Sequence, residues 1–387
     1  MTSASVTAKV QPRIYSARKS SIEDQIPLDA PFSVHIDVSS VCNFKCSFCF
    51  QADSEAMKEV GLRRGKMSLE LFKKIIDDLA EFSGPIKKIK IGNHGEPTLH
   101  RELPAMIRYA RDANVADVIE LFTNGSRLTQ DLNRSLVASG LQRINISIEG
   151  LTSARYLEVT GVQQNVESLV AGVRHLHSIR GNDLIIYVKI ADQTRPLDEE
   201  STDSFVLDSE ERSLFFSTYG DICDEIFIEK IVPQWAEVQV NKQNELAATG
   251  MYDQKIQRQK DVCPFTFMYL HFNCDGSASP CTLDWPRKVL VGNVRTQSVH
   301  EIWNGNRLRD LRIAMLQGSR NQIGFCKNCS APMVCVDENL DAHKAKVLRA
   351  LGADNESTVP NQWIQKKSPQ LVKLSVGPRP SSSTTTV

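Results

Sequence analysis

The sequence contains no apolar run approaching the roughly 18 residues that a membrane-spanning helix needs, so no such helix is expected. It has no excess of either charge, since 46 Lys and Arg stand against 46 Asp and Glu in 387 residues. A balanced chain gives no general electrostatic reason to bind nucleic acid or an anionic membrane. The N-terminal stretch Met1–Ser21 is polar and basic and lacks the apolar centre of a secretory signal. No internal repeat recurs at a fixed period, which excludes a solenoid. These absences point to a cytoplasmic protein with neither membrane nor nucleic acid as partner. What remains is a chain long enough for two domains and a large core, with 41% hydrophobic residues.

Cysteine, by contrast, is plentiful, with ten in the chain. Without an export signal, these read as thiolate ligands in a reducing compartment rather than as disulfides. Cys42, Cys46 and Cys49 form a C-x3-C-x2-C loop directly after the apolar run Phe32–Val38. Iron–sulfur clusters are usually held by four thiolates. Three in one tight loop, with no fourth nearby, suggest a cluster with one iron left open, and an open position is where a metal site does chemistry. Phe48, just before the last cysteine, suits a loop that also packs a flat ligand. A zinc loop is the competing reading.

From Phe32 the pattern alternates strand and helix. Strands are expected at Phe32–Val38, Lys88–Ile91, Val118–Phe122, Arg143–Ile148, Leu184–Ile190 and Glu225–Ile231. Between them, Ser68, Thr129 and Asn165 precede apolar residues at helical spacing and read as N-caps, and Leu103, Ile107 and Ala110 mark a further helix. Gly140 ends the helix begun at Thr129. Strand–helix units in succession imply a parallel sheet with helices outside, a partial (β/α)6 TIM-like barrel. In such folds functional residues gather at the carboxyl ends of the strands. The cysteine loop follows the first strand, Gly92-Asn93-His94-Gly95-Glu96-Pro97 the second, Thr123-Asn124-Gly125 the third, and Ser147-Ile148-Glu149-Gly150 closes the fourth.

A second module begins at Cys263. Phe267–Phe272 and Ala278–Cys281 read as a hairpin turning at Asp275-Gly276. Ser298 and Glu301 have capping-box spacing ahead of one helix carrying Leu308, Leu311 and Met315, ended by Gly318. Cys326, Cys329 and Cys335 follow. The expected organisation is a flexible N-terminal arm (1–31), the barrel (32–233), a polar linker (234–262), the small α/β module (263–350) and a disordered tail (351–387).

The loop Cys42–Cys49 resembles the C-x3-C-x-aromatic-C signature of the radical S-adenosylmethionine (radical SAM) family. The resemblance covers roughly Phe32 to Val232. It implies a [4Fe–4S] cluster at Cys42, Cys46 and Cys49 whose open iron chelates S-adenosylmethionine (SAM), and cleavage of SAM to a 5′-deoxyadenosyl radical. Gly95-Glu96-Pro97 resembles that family's GGEP motif for the methionine amino group, with His94 where a glycine is usual. Asn124 and Ser147 stand where the family places polar contacts to SAM, Glu149 stands where Asp is commoner, and the sixth strand lies against the adenine. The C-terminal cysteines, with Gly292-Asn293 and Ile302-Trp303, resemble the SPASM/twitch extension that carries auxiliary clusters. The cysteine count favours a single second [4Fe–4S] cluster at Cys263, Cys281, Cys326 and Cys329, with Cys335 as a substitute ligand and Cys274 structural. A zinc ribbon is the competitor here too.

The resemblance implies hydrogen-atom abstraction from a small polar substrate of sugar or aminocyclitol type. Oxidation would use the second cluster as electron acceptor, and the reductant would be an external flavodoxin or ferredoxin. A redox-neutral epimerase, a peptide-modifying maturase and a non-catalytic metal or electron-transfer protein are the alternatives. Cys223 is a candidate hydrogen donor and Asp284 a candidate substrate contact. His94 and His100 are expected to be structural, and Lys87-Lys88-Ile89-Lys90 to be a solvated strand edge.

Overall fold

Isoleucine and valine at every second position build one sheet. In the computed structural model, which describes residues 7–13, 21–192, 207–232, 249–255, 260–336 and 338–353, the strands are β1 (Lys9–Val10), β2 (Ser33–Ile36), β3 (Ile86–Ile91), β4 (Ala116–Thr123), β5 (Arg143–Ile148), β6 (Ile185–Asp192), β7 (Glu225–Lys230), β8 (Tyr269–Phe272), β9 (Ser277–Ser279) and β10 (Gly292–Asn293). Their spatial order is β1-β7-β6-β5-β4-β3-β2-β8-β9-β10. Every pairing from β1 to β8 is parallel, and β9 and β10 run antiparallel. The partial barrel is β2 to β7. Its crossovers carry α1 (Ser54–Glu59), α2 (Leu69–Leu79), α3 (Leu103–Ala113), α4 (Gln130–Ala138), α5 (Ser153–Thr160), α6 (Val166–Ile179) and α7 (Ser209–Tyr219).

Caps fix where three of these helices begin. The side chains of Ser68, Thr129 and Asn165 accept from the backbone N–H of Leu71, Leu132 and Ser168 at 3.2, 3.3 and 2.7 Å. Alternate strand residues Ile89, Ile91, Ile119, Leu121, Ile144, Ile146 and Ile186 are buried beneath the helices. The intervening residues face the lumen and bridge from strand to strand: Lys88 to Glu120 at 3.5 Å, Arg143 to Glu120 at 3.2 Å, and Lys189 to Glu229 at 2.7 Å. A parallel sheet covered on both faces reads as continuously apolar; here one face of each strand is charged, so the lumen is a polar cavity.

Four features differ from the sequence-based expectation. First, the C-terminal module continues the barrel's sheet, since β8 pairs with β2 from Ser33↔Tyr269 to Ile36↔Phe272. Second, the expected strand Phe267–Phe272 starts late, because Pro264 opens a helical turn, α8 (Phe265–Met268), with Phe267 N–H donating to the Pro264 carbonyl at 3.0 Å. Third, the expected single helix after Ser298 is two, α9 (Val299–Trp303) and α10 (Asn306–Leu316), separated at Gly305. The capping box of Ser298 and Glu301 forms as expected.

Fourth, part of the N-terminal arm belongs to the fold. Lys9 N–H donates to Asp224 O at 2.9 Å as β1 joins β7, and Trp303 Nε1–H donates to Leu28 O at 3.1 Å. Residues 1–6 and 14–20 of that arm, 233–248 and 256–259 around the expected linker, and the tail from 354 lie outside the described residues.

Because β8 covers the edge of β2, removing it exposes a row of unpaired backbone groups on a central strand. A chain ending at residue 260 is expected to aggregate rather than accumulate as soluble protein. A truncated chain with the full-length thermal midpoint would show β8 to be dispensable.

Candidate active site

The cysteine loop is pinned at both ends. Lys45 and Ser47 N–H donate to Thr160 and Val159 carbonyls, both at 2.9 Å, at the end of α5. Phe44 is buried edge-on against Tyr156 with ring centroids 6.0 Å apart. Cys42, Cys46 and Cys49 are half-buried and line a cavity of about 550 Å³. Burial pushes the Cys42 thiol up to about 11 and Cys49 up to about 12, and carries Cys46 well above its usual range, with Glu149 adding to all three. Such thiols ionise only when a cation joins them.

The loop after β3 packs directly on the backbone that enters the cysteine loop. A Cβ on Gly95 would stand 2.3 Å from Ser39 O and 2.8 Å from Val41 O, so only glycine fits. Glu96 N–H donates to Val41 O at 2.9 Å. The Glu96 carboxylate is buried and accepts from Thr98 N–H (3.0 Å), Thr98 Oγ1 (2.5 Å), Thr123 Oγ1 (2.7 Å) and Asn124 N–H (2.8 Å). Burial raises its pKa, and these bonds offset part of the rise. Asn124 Nδ2 donates to Asn43 Oδ1 at 3.0 Å, tying the end of β4 to the cysteine loop. Glu96 and Asn124 therefore brace three loops as well as facing the cavity. Phe48, Ser147 and Glu149 also lie on its wall. Burial raises the Glu149 carboxyl, and Lys189 works against the rise. Pro97 opens a short 3-10 turn behind Glu96.

His94 does not face the cavity. Its Nδ1 lies 3.0 Å from Asp37 Oδ2, its Nε2 contacts the Thr282 carbonyl, and its backbone N–H donates to Asp37 Oδ1 at 3.1 Å. His271 Nε2, on β8, meets the same Asp37 oxygen at 2.7 Å. Burial alone would raise Asp37; the two imidazoles outweigh it and hold the carboxyl well below the usual carboxylate range. The residue that departs from the family's glycine thus reaches into the C-terminal module, one residue from Cys281. His100 is structural as expected, with Nε2 2.8 Å from Met67 O.

At the far side of the cavity, Cys263, Cys281, Cys326, Cys329 and Cys335 come together. Burial and the nearness of the other thiols raise the pKa of Cys281, Cys326, Cys329 and Cys335, and burial raises that of Cys263. Arg320 Nη1 donates to the carbonyls of Cys326 (3.1 Å) and Cys329 (2.8 Å), shaping their loop. Cys281 and Cys335 line the same cavity as the first cysteine set. Tetrahedral zinc, with Zn–S near 2.3 Å, would hold its sulfurs about 3.8 Å apart. Among the described residues no three cysteine sulfurs lie within 4.8 Å of one another. Cys274 donates to Ser40 Oγ at 3.3 Å and is structural.

Three expectations need correction. Cys223 lies at the amino end of β7, away from the cavity, with Sγ donating to Tyr219 O at 3.1 Å. Asp284 does not line the cavity; it accepts from Lys288 and Val289 N–H, both at 2.8 Å, as a turn cap, and burial pushes it up to about 7. The Lys87–Lys90 run is not a solvated edge: Lys87 is exposed, but Lys90 lines the cavity. Arg13, His35, Lys189, Glu229, Tyr252 and Tyr269 also line it and were not singled out from the sequence. For His35, Lys189 and Glu229 the signal was a polar residue alternating with valine or isoleucine along β2, β6 and β7; Arg13, Tyr252 and Tyr269 gave no comparable signal.

Residues 36–194 match the sequence model of the radical SAM superfamily, and residues 263–330 match that of the SPASM iron–sulfur cluster-binding domain. The chain is 27% identical over 345 residues to an AdoMet-dependent heme synthase of Methanosarcina barkeri, covering 82% of this chain and 93% of that protein. It is 23% identical over 317 residues to an S-adenosyl-L-methionine-dependent 2-deoxy-scyllo-inosamine dehydrogenase of Niallia circulans, covering 81% and 99%. A probable GTP 3′,8-cyclase of Metallosphaera sedula is 35% identical over 141 residues, but that match spans only 36% of this chain and 41% of the cyclase. Among solved structures, BtrN in complex with AdoMet and 2-DOIA has a TM-score of 0.51 at 16% identity, covering 81% of this chain and 98% of BtrN.

Asp37 holds strand end, loop and module together, so Asp37→Asn is predicted to cost about 1–3 kcal/mol in urea unfolding, as leaving a buried donor short of its acceptor does. A loss under about 1 kcal/mol would contradict the role. Since the native pKa is depressed, the stabilisation is present above the unfolded value of about 3.9 and disappears only as pH falls through the lower native value.

Proposed function

The chain is a radical SAM enzyme with a C-terminal SPASM domain, and from that premise we propose that it oxidises a small polar molecule, of sugar or aminocyclitol type, by hydrogen-atom abstraction. The observation that carries the reading is the single cavity whose walls include both cysteine sets. In this reading Cys42, Cys46 and Cys49 hold the catalytic [4Fe–4S] cluster. Phe48, Gly95, Glu96, Pro97, Asn124, Ser147 and Glu149 form the SAM site. Cys263, Cys281, Cys326 and Cys329 hold the second cluster, with Cys335 as an alternative fourth ligand. When bound, the first cluster and SAM supply a 5′-deoxyadenosyl radical and the second cluster an electron acceptor.

The residues themselves position and shield. The Glu96 carboxylate, fixed by four donors, presents its remaining acceptor capacity to the SAM ammonium. The apolar and aromatic parts of the wall, Phe44, Phe122, Met268 and Tyr269 among them, exclude water that would waste a radical. SAM must share the 550 Å³ with substrate, which favours a small molecule over the macrocycle in the heme synthase's name. An external flavodoxin or ferredoxin would supply the reducing electron, and a cytoplasmic setting would keep the thiols reduced. Epimerisation, with no net electron transfer, is the alternative outcome of the same abstraction.

Anaerobic reconstitution is expected to give about eight irons per chain, falling to about four when Cys42, Cys46 and Cys49 become Ala. A wild type that saturates near four irons would sink the two-cluster assignment. Reduced protein is expected to form 5′-deoxyadenosine from SAM. Glu96→Ala is expected to weaken SAM binding by about 1.5–3 kcal/mol through the ammonium contact, and further through loosened loops. Cys281→Ala with Cys329→Ala, assayed on a panel of sugars and aminocyclitols, is expected to abolish ketone product while 5′-deoxyadenosine still forms. Full ketone formation in that folded variant would remove the second cluster as acceptor.

A further inference from the structure

Lys90 is the inward-facing residue of β3 two positions before Gly92, so its side chain enters the cavity one layer below the loop of the SAM site. No hydrogen bond or ion pair to it is found among the described residues. Its contact is with an aromatic ring, Nζ lying 5.5 Å from the Tyr269 centroid. The carboxylates nearby sit closer to other cations. Glu229 is met by Lys189 at 2.7 Å and Arg13 at 3.6 Å. Glu120, opposite Lys90 on β4, feels the charge of Lys90 more than any other, yet its ion pairs close on Arg143 at 3.2 Å and Lys88 at 3.5 Å and not on Lys90. A cation held inside protein without an acceptor is costly, and burial, with Arg13, Lys88 and Arg143 nearby, pulls Lys90 down to about 7 even though Glu120 works against this.

Resting on the oxidative reading above, we propose that Lys90 anchors an acidic group of the substrate, a carboxylate or a phosphate. The substrate's reacting carbon then stands above it, toward the three-cysteine loop, while the acidic group completes the missing ion pair. Arg13, whose guanidinium lies 5.0 Å from the Phe122 centroid and 5.5 Å from that of Tyr252, closes the same end of the cavity with a second positive charge. Glu338 also lines the cavity, near Tyr269, with no ion pair to Lys90 among the described residues. An amine-bearing substrate, such as the one in the inosamine dehydrogenase's name, would set its ammonium against Lys90 and Arg13. Within the substrate type proposed above, the inference therefore favours an acidic sugar derivative over an amine-bearing aminocyclitol, with the same reaction type.

The test uses reconstituted, SAM-loaded full-length protein and matched probes: gluconate against glucitol, and glycerol 3-phosphate against glycerol, by calorimetry. At least one acidic probe is expected to bind about ten-fold or more tightly than its neutral partner, as a charge-assisted contact allows. Which acidic probe shows the preference tells carboxylate from phosphate. Lys90→Met is expected to erase the preference and Lys90→Arg to keep it, with iron content and SAM affinity unchanged in both. If Lys90→Met does not fold, Lys90→Gln replaces it. Equal binding of acidic and neutral probes by wild type, or a preference that survives loss of the amine, overturns the proposal. If the preference holds but wild type forms no 5′-deoxyadenosine, the oxidative reading fails and the anion site stands.

Discussion

One buried carboxylate sets the geometry of the whole site. Asp37 ends β2, and its two oxygens receive the backbone and ring of His94 and the ring of His271. Those partners come from the loop after β3 and from β8 of the C-terminal module. Leaving any of these groups unpaired in the interior would cost several kcal/mol, so the three segments hold a fixed relation. The relation matters because His94 is followed by Gly95 and Glu96, while Thr282, which His94 also contacts, follows Cys281.

That arrangement joins barrel and module around a shared cavity. β8 adds in register to β2, and Phe50, just past the cysteine loop, stacks on Trp285 with centroids 5.0 Å apart and planes 13° apart. The C-terminal module is thus a wall of the barrel's opening. Members of both cysteine sets line that one cavity, and the sheet runs between barrel and module without a break.

The lumen shows the other half of the design. Its inward residues are charged and mostly cross-paired between neighbouring strands, which orders them at little net electrostatic cost. Lys90 faces the same cavity as the paired Lys189 and Glu229 but closes no ion pair among the described residues. Above it, Glu96 braces its own loops and joins the ends of β3 and β4.

How much of this was legible depends on range. Cysteine spacing, strand-phased loops, N-caps at Ser68, Thr129 and Asn165, and the capping box at Ser298 are local signals, set by backbone chemistry within a few residues. They identified the barrel and the two cysteine sets from sequence alone. The Lys-Ile alternation in β3 was equally visible, but an alternating strand does not say which face is cavity and which is solvent until its neighbours are in place. The roles of Asp37, His94, His271 and Lys90 arise between residues up to 234 positions apart, as Asp37 and His271 are. Likewise Cys223 and Asp284 looked available in the sequence, and only packing put one at the wrong end of its strand and the other under a turn. Local chemistry wrote the elements and the cysteine loops; the closing of the sheet decided which polar side chains share a cavity.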